Sequence, residues 1–419
     1  MSNNEASGKG IQTAGDVEIT ECILIKNDGS ELDLRQYIGE INIFEDMFKN
    51  GMYGNILIID TSNLSQNFPI VGEEFIRLKI KTPSFQSEIS RIFKVYSITN
   101  KMLLRDTNTQ SYILHYTSPE VFLDLMSPIY STFEGKIGDV VRKIWEESLA
   151  TTRLGDSDEA VTPLIILGEP ENEVKFTSPG WTGMHCLNWL AARARGEGYK
   201  NPGYLFYESN KAFYFLNVEA LIDDSIQSNS IFAEYMYMAN NITGNNESNP
   251  SDDFNTNRPY TKDIEKEFKK VEDFEVIETY NNFKNVQNGY YANRLVTLDI
   301  LTKKYETFDY DHVASYDEYK HLENIGGAKD VAPFRADTLR SPSSFVQFYP
   351  KHQELYTGFK NNVADVIETT LPRRLSTIQE LSNFKIIFTV PGRTDAEVGS
   401  IIYFSYPDTS PRDLSLIHI

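Results

Sequence analysis

The stretch from Ile41 to Lys81 constrains the fold of this chain more than any other part of the sequence. It contains an unbroken apolar run, Ile56–Ile59, which is typical of a β-strand that is covered on both faces. After a Val71-Gly72 turn, the segment Phe75–Lys81 alternates between apolar and basic residues, the pattern of a strand with one buried face. The apolar residues of this segment are Ile76, Leu78 and Ile80. The stretch has no catalytic pattern, so we interpret it as part of a sheet wall.

Strand patterns extend over the whole region from Val17 to Thr117. A hairpin turn is predicted at Asn27–Ser30, because Asn, Asp and Gly lie there between two strand patterns. The region contains about six or seven short strands and no helical pattern, which favours a small barrel or sandwich. We assign residues 17–119 to this first domain. Residues 1–16, rich in Gly, Ser and Asn, are expected to form a flexible tail.

The pattern becomes helical after residue 119. Apolar residues at helical spacing predict one amphipathic helix over Gly138–Leu149 and a second from about Thr182 to Arg195. We assign residues 120–270 to an α+β insertion domain. Within it, residues 240–258 are poor in apolar side chains and are expected to be a mobile loop.

Strand patterns return in residues 271–306 and 373–413, which we assign to a second β domain. Residues 307–372 between them are aromatic and irregular, and we interpret them as an excursion that packs on this domain. Val398-Gly399 precedes the last strand pattern as Val71-Gly72 precedes the strand at Phe75. Together with the matching order of elements, this echo predicts two copies of one barrel.

The charge limits which partners the chain is able to bind tightly, and the cysteine content indicates the compartment in which it folds. The 419 residues carry a formal net charge of −20, which argues against tight binding of phosphates over a broad surface. Such a charge still permits nucleic acid to slide past without sticking. The two cysteines are too few for a disulfide scaffold, which suits a reducing compartment. No secretory signal and no apolar run long enough to span a bilayer are present in the sequence, so stable membrane association is not expected.

Two adjacent pairs of residues invite a catalytic interpretation, and we reject both. His185 and Cys186 are neighbours on a predicted helix, so their side chains point about 100° apart. Glu146 and Glu147 lie at the end of the first helix and are interpreted as a solvated face rather than as convergent acid and base groups.

His312 and His321 form the third candidate, because carboxylates surround them in the sequence. A cluster of His and carboxylate side chains is able to hold a metal ion, but acidic loops reach this composition by chance. The carboxylates are Asp309, Asp311, Asp317 and Glu318. We therefore predict no enzyme, no cofactor and no metal site, and leave open whether this region binds an ion.

The chain contains, in order, the segments EDMFKNGMYGNILIIDTSNL, VGEEFIRLKIKTP, RIFKVYSITNKMLL, QSYILHYTSPEVF, FTSPGWTGMHCLNWLAARARGEG, YLFYESNKAFYFLNV and LSTIQELSNFKIIFTVPGRTDAEVGSIIYFSYP. The first four resemble the first tube-type barrel of the central baseplate hub of contractile-tailed, T-even-like bacteriophages. The next two resemble the second domain of that family, and the last resembles its second barrel. The hub halves of type VI secretion spike proteins are similar in plan.

This resemblance implies a mainly β chain with two tandem tube-type β-barrels and an inserted helix-bearing α+β domain. It implies a homotrimer whose six barrels form a ring, a structural protein of the virion that is assembled in the host cytoplasm. The ring would join the tail tube and tape-measure proteins above to the spike or lysozyme protein below. DNA would meet it only in passage, and a carboxylate-lined bore would repel the phosphates.

Candidate contacts to the bore or to neighbouring subunits are Glu45, Asp46, Phe48 and Tyr53. The end of the chain departs from the family pattern, because the strands expected after the Ile402 strand are replaced by PRDLSLIHI. Residues 414–419 resemble one translated frame of a sequencing adaptor. We therefore expect the sequence to be a fragment whose native part ends near Asp413, which would truncate the second barrel.

Two other functions remain open on the sequence alone. A receptor-binding or adhesin module of the tail would be favoured by an exposed aromatic groove around Tyr310–Tyr319. A baseplate wall hydrolase would need a convergent carboxylate or metal cleft, for which the sequence gives no pattern.

Overall fold

The structure is a computed structural model of the chain. It describes residues 14–62, 64–83, 85, 87–103, 109–150, 162–196, 198–199, 201–227, 232–237, 268–279, 281–321, 341–351, 363–405 and 415–418. Most of the predicted tail 1–16 and all of the predicted loop 240–258 lie outside these residues.

A seven-stranded sheet forms the N-terminal region, with the order β2-β1-β5-β6-β7-β4-β3 and antiparallel pairing throughout. Its strands are β1 (Glu18–Ile25), β2 (Glu31–Asp33), β3 (Ile38–Phe44), β4 (Tyr53–Asp60), β5 (Phe75–Lys81), β6 (Glu88–Leu103) and β7 (Gln110–Thr117). A 3-10 turn, Arg35–Tyr37, and a short helix α1, Leu64–Asn67, connect them. The predicted hairpin turn is confirmed, since Lys26 N–H donates to the carbonyl of Ser30 over 2.9 Å.

One hydrophobic core joins the first and last strands of this sheet, so the sheet curls around it. The alternation predicted for β5 is confirmed, because Ile76 and Leu78 are fully buried. The prediction that β4 is covered on both faces is wrong: Ile56 and Ile58 are fully buried, but Ile59 is 41% exposed. Side chains alternate across a strand, and among the described residues nothing buries Ile59 fully on the outer face of this curled sheet. The edge strands β2 and β3 do not pair with each other, so the described sheet is an open half-barrel.

A helical layer with small sheets follows. Its helices are α2 (Pro119–Met126), α3 (Ile137–Ile144, continued as a π-helical turn Trp145–Leu149), α4 (Gly183–Ala191) and α5 (Val218–Gln227). Its strands are β8 (Thr132–Lys136), β9 (Leu164–Leu167), β10 (Glu173–Thr177), β11 (Tyr204–Glu208) and β12 (Phe213–Asn217). The two predicted helices are confirmed, although the second ends at Ala191 rather than near Arg195. Thr182 caps α4 by accepting the N–H of His185 over 3.3 Å. Strands β10 and β8 pair, and β11-β12-β9 form a three-stranded sheet.

The remaining described residues form three small sheets rather than a second closed barrel. Their strands are β13 (Ala233–Tyr237), β14 (Lys270–Val271), β15 (Asp273–Thr279), β16 (Ala292–Asp299), β17 (Lys304–Asp311), β18 (Val346–Lys351), β19 (Phe384–Thr389), β20 (Ile401–Ser405) and β21 (Ser415–His418). The helices are α6 (Asn282–Gln287), α7 (His312–Ser315) and α8 (Val363–Glu380), with 3-10 turns at Tyr316–Glu318 and Pro342–Ser344. The sheets are β14-β13-β20-β21, β15-β19 and β17-β16-β18. The segment predicted to derive from an adaptor supplies β21, which pairs with β20.

Residues 391–400, between β19 and β20, tie the three regions together. Thr394 and Thr82 exchange hydrogen bonds of 3.2 and 3.3 Å between their backbone N–H groups and hydroxyls. The Asn210 side chain of the β11–β12 turn donates to the carbonyl of Ala396 over 2.8 Å. These contacts hold the last strand pair against both the half-barrel and the helical layer. Within the described residues, no helix is both long enough and apolar enough to cross a bilayer.

Candidate interaction surface

Three of the four predicted contact residues lie in the turn between β3 and β4, and the fourth, Tyr53, is the first residue of β4. The sequence folds this turn locally. The Asp46 carboxylate accepts the N–H of Phe48 over 2.9 Å, a short-range bond by which Asp stabilises turns. Met47 between them is 8% exposed and packs on the core formed by the β11–β12 hairpin. With Met47 buried, Phe48 is forced outward and is 56% exposed.

Aromatic rings and one cation form the outer side of this turn. Phe44 and Tyr53 stack with ring centroids 5.1 Å apart, and Phe44 is 40% exposed. The Lys49 ammonium lies 4.2 Å from the centre of the Tyr53 ring and donates to the Tyr53 hydroxyl over 2.8 Å. We call Phe44, Phe48, Lys49 and Tyr53 the turn patch. Exposed aromatic rings beside a cation are typical of protein contact surfaces.

Glu45 points the other way, into the chain. Its carboxylate accepts the N–H of Val398 over 3.0 Å and therefore fastens the turn to the segment before β20. Burial raises the pKa of Glu45, and the N–H groups of Val398 and Asn210 offset this only in part. The structure thus brings the four predicted residues together but gives them different partners: Phe48 and Tyr53 face outward, while Glu45 is engaged internally.

A buried charged node beneath the turn supports it. Glu208, at the end of β11, is 1% exposed and accepts hydrogen bonds from the Arg91 guanidinium and the Ser118 hydroxyl. It also accepts the N–H of Met52 over 2.8 Å, which fixes the base of the turn. Burial lowers the pKa of Arg91, opposed by the nearby carboxylates of Glu120 and Glu45. Because buried ions need complete pairing, this node locks the half-barrel to the helical layer in one register.

Sequence reasoning missed Glu208, because nothing local distinguishes it from an ordinary turn glutamate. Its partners lie 90 to 156 positions away in the chain. The one available indication is its position at the end of an aromatic strand, where a charged side chain is rare unless it is paired.

The side chains of the two rejected catalytic pairs differ in how far they are exposed. His185 is exposed and Cys186 is fully buried, so they do not share a face, as predicted. Glu146 and Glu147 are exposed, which confirms their interpretation as a solvated face. Across the described ranges, no His, Cys, Asp and Glu side chains are grouped so as to hold a metal ion.

His312 and His321 do come together, with ring centroids 6.3 Å apart, but the predicted carboxylates do not join them. Asp309 pairs with Arg294 at 2.6 Å, and Asp311 caps α7 by accepting the N–H of Ala314. The carboxylate beside the two histidines belongs instead to Glu380, near the end of α8.

The aromatic residues around this pair do not form an open groove. Tyr310 is 8% exposed and Tyr319 is 7% exposed, and the Arg373 guanidinium lies 5.9 Å from each ring centre. The feature that would have favoured a receptor-binding module is therefore buried.

The fold is similar to that of tail proteins of known structure. The tail protein from Neisseria meningitidis MC58 superposes with a TM-score of 0.50 at 10% identity, covering 92% of this chain and 86% of that one. The 43 kDa tail protein of prophage MuSo2 from Shewanella oneidensis gives a TM-score of 0.45 at 10% identity, with 93% and 88% covered. The prophage tail protein gp18 from Listeria monocytogenes EGD-e gives 0.42 at 10% identity, with 92% and 85% covered. Neither a protein-family model nor a curated protein matches the sequence.

Proposed function

We propose that this chain is a structural subunit of a phage tail baseplate, and that three copies form the central hub ring. The ring joins the tail tube and tape-measure proteins above to the cell-puncturing spike or lysozyme protein below. The observation that carries the proposal is the fold likeness to the Neisseria tail protein over 92% of the chain, which includes the half-barrel and the helical layer alike. The order of segments in the sequence supports the same assignment.

In this proposal, each subunit contributes two barrels to the ring, and the second half of the chain forms the second of them. The two Val-Gly turns support it, because Gly72 and Gly399 have φ angles of 91° and 89° and both precede a strand. In both turns the valine N–H donates to a carboxylate: Val71 to Glu74 over 2.7 Å and Val398 to Glu45 over 3.0 Å. Such shared local geometry is expected of two copies of one unit.

The turn patch is the contact to a neighbouring subunit in this proposal. Phe48 and Tyr53 supply its apolar area, Asp46 shapes the turn, and Glu45 fixes the angle at which the turn projects. Aromatic side chains in an exposed turn provide large contact area at little entropic cost. The net charge of −20 suits a ring through which DNA passes without binding.

The mass in solution tests the ring. Light scattering of the purified chain should give three times the chain mass of 47.9 kDa. With the spike and tube proteins present, the mass should be that of a complex that contains three copies of the chain. A chain that stays monomeric with those partners present would contradict the hub.

A matched pair of variants tests the surface. Phe48→Ser should weaken the trimer by more than tenfold in association constant, since an interface anchor contributes about 2 kcal/mol or more. Phe283→Ser is the control, because Phe283 on α6 is 81% exposed and lies outside the turn patch. Both variants should keep the melting temperature of the monomer. Equal association constants for the two variants would exclude Phe48 from the contact.

A further inference from the structure

The ring of His321 lies between two hydrogen-bond acceptors. Its Nδ1 is 2.8 Å from a carboxylate oxygen of Glu380, and its Nε2 is 2.7 Å from the carbonyl oxygen of Tyr316. The Tyr316 ring stacks on the imidazole with centroids 3.7 Å apart and planes 4° from parallel, which fixes the ring plane. The His321 side chain is 11% exposed, so water has little access to either nitrogen.

This geometry requires two protons on the ring. A backbone carbonyl accepts and never donates, and an ionised carboxylate does the same. A neutral imidazole has one N–H and would leave one of the two acceptors facing a lone pair, whereas the imidazolium satisfies both. The arrangement is therefore complete with a protonated His321 and an ionised Glu380.

The second histidine does not turn the pair into a metal site. His312 is fully buried, its Nδ1 lies 3.2 Å from the Tyr310 hydroxyl, and its Nε2 is 3.7 Å from Glu380, too far for a hydrogen bond. Two imidazoles on one tetrahedral zinc ion have ring centres about 5 Å apart, closer than the 6.3 Å observed.

Other ionisable groups lie close to His321 or to the residues that contact it. They are Glu380 and Arg373 of α8, His312 of α7, Tyr310 of β17, Tyr316 and Tyr319 of the same segment, and Glu219 of α5. The same segment is held to α5 by Lys320, whose N–H donates to Glu219 over 3.2 Å and whose ammonium pairs with Asp223.

We propose that His321 is a pH-sensitive latch, which fastens segment 316–321 to α8 while its ring is protonated and releases the segment when the ring loses its proton. Deprotonation leaves a lone pair of the ring facing an acceptor oxygen, either that of Glu380 at 2.8 Å or that of Tyr316 at 2.7 Å. The repulsion between two acceptors at such a distance favours local opening of the segment. The latch does not depend on the proposed hub function.

The pH range of the latch follows from the two groups. Burial lowers the pKa of His321, but the hydrogen bond and charge of Glu380 outweigh it, so the pKa is raised above 6.5. A raised histidine pKa gives stability that is present below the ordinary value and is lost as the pH rises through the folded-state value. For Glu380, burial raises the pKa, but the two histidines outweigh it and hold it at about 2, so acid opens the latch only far below neutrality.

Hydrogen exchange of segment 316–321, corrected for intrinsic rates, tests the latch between about pH 6 and about pH 9. The opening constant of the wild-type chain should rise with pH by about tenfold for each unit by which the His321 pKa exceeds its ordinary value. Glu380→Gln should be open already at low pH and should show no such step. His185→Gln, which removes an exposed imidazole from α4, should behave as wild type. A flat wild-type profile, or a step retained in Glu380→Gln, would overturn the proposal.

A second measurement needs no variant to fold. The imidazole carbon resonances of wild-type His321 should report the charged form at about pH 6 to 7 and should titrate above the ordinary range. A His321 ring that is neutral at about pH 6 would refute the latch on its own.

Discussion

Replacing Glu208 with Gln tests whether the buried node holds the half-barrel to the helical layer. The Gln side chain keeps the size of Glu and one acceptor oxygen, but it leaves the Arg91 guanidinium without its counter-charge. Arg91 is 9% exposed, so its charge remains inside the protein when the carboxylate is gone. The Met52 N–H and the Ser118 hydroxyl share Oε2 of Glu208, while Arg91 donates to Oε1, so the one oxygen of Gln cannot serve both sets of donors.

The expected loss is about 3 kcal/mol in the free energy of unfolding. Removing one partner of a buried ion pair costs about 3–5 kcal/mol, because an uncompensated charge stays buried. The lower end applies because the charges of Glu120 and Glu45 still act on Arg91. Replacing both partners, as in Arg91→Met with Glu208→Gln, should restore at least half of the loss, since no unpaired ion remains.

Denaturant unfolding followed by two probes measures this loss. The three tryptophans, Trp145, Trp181 and Trp189, lie in or against the core of the helical layer, so their fluorescence reports on that layer. Circular dichroism reports mainly on the strands. Glu169→Gln is the control, because the Arg142–Glu169 pair at 2.7 Å is about half exposed and should contribute about 0–1 kcal/mol. A loss below about 1 kcal/mol for Glu208→Gln, or a double variant as unstable as the sum of the singles, would refute the reasoning.

Two further predictions concern the β3–β4 hairpin. Gly54→Ala should lower the free energy of unfolding by about 1–3 kcal/mol or prevent folding, because a Cβ there would lie 2.2 Å from the Asn42 carbonyl oxygen; Gly392→Ala, with no atom within 4 Å of the added carbon, should change thermal stability little. Glu45→Gln should gain stability relative to wild type as the pH rises from about 4 to about 7, because a carboxyl whose pKa is raised by burial loses its contribution through that range. A constant difference between the two proteins in denaturant titrations at several pH values would show that Glu45 ionises as freely as in the unfolded chain.

Local periodicity is sufficient to predict some of the elements but not all. Residues 307–372 are interpreted as irregular, whereas they contain strand β18 and the start of the long helix α8. The alternation at Ile76 and Leu78 identifies β5 and its buried face, and helical spacing identifies α3 and α4. These features depend on residues within one or two turns of each other, which a sequence displays directly. The apolar run of β4 was misread, because a run of four apolar residues does not reveal that the outer face of the sheet is uncovered.

The contacts that assemble the site could not be predicted, since they join distant parts of the chain. Glu208 meets Met52 across 156 positions, and Glu380 meets His321 across 59. In both cases the sequence displays nearer carboxylates that the structure uses elsewhere, such as Asp309 on Arg294. Which carboxylate reaches a buried cation is decided by the packing of sheets and helices, and neither composition nor spacing records that packing.

The Val-Gly turns of the two β regions share their local geometry, but the strands that follow them pair differently. Gly72 and Gly399 share a positive φ that favours glycine, and a carboxylate accepts the preceding valine N–H in each turn. After the turns, however, β5 pairs antiparallel with β1 and β6, whereas β20 pairs parallel with β13 and antiparallel with β21. The carboxylate of the first turn is local, Glu74, while that of the second is Glu45 from the first sheet. The second Val-Gly turn is therefore a contact between the two β regions, made through Glu45. If the two regions are tandem barrels, as we propose, Glu45 sets the angle between them.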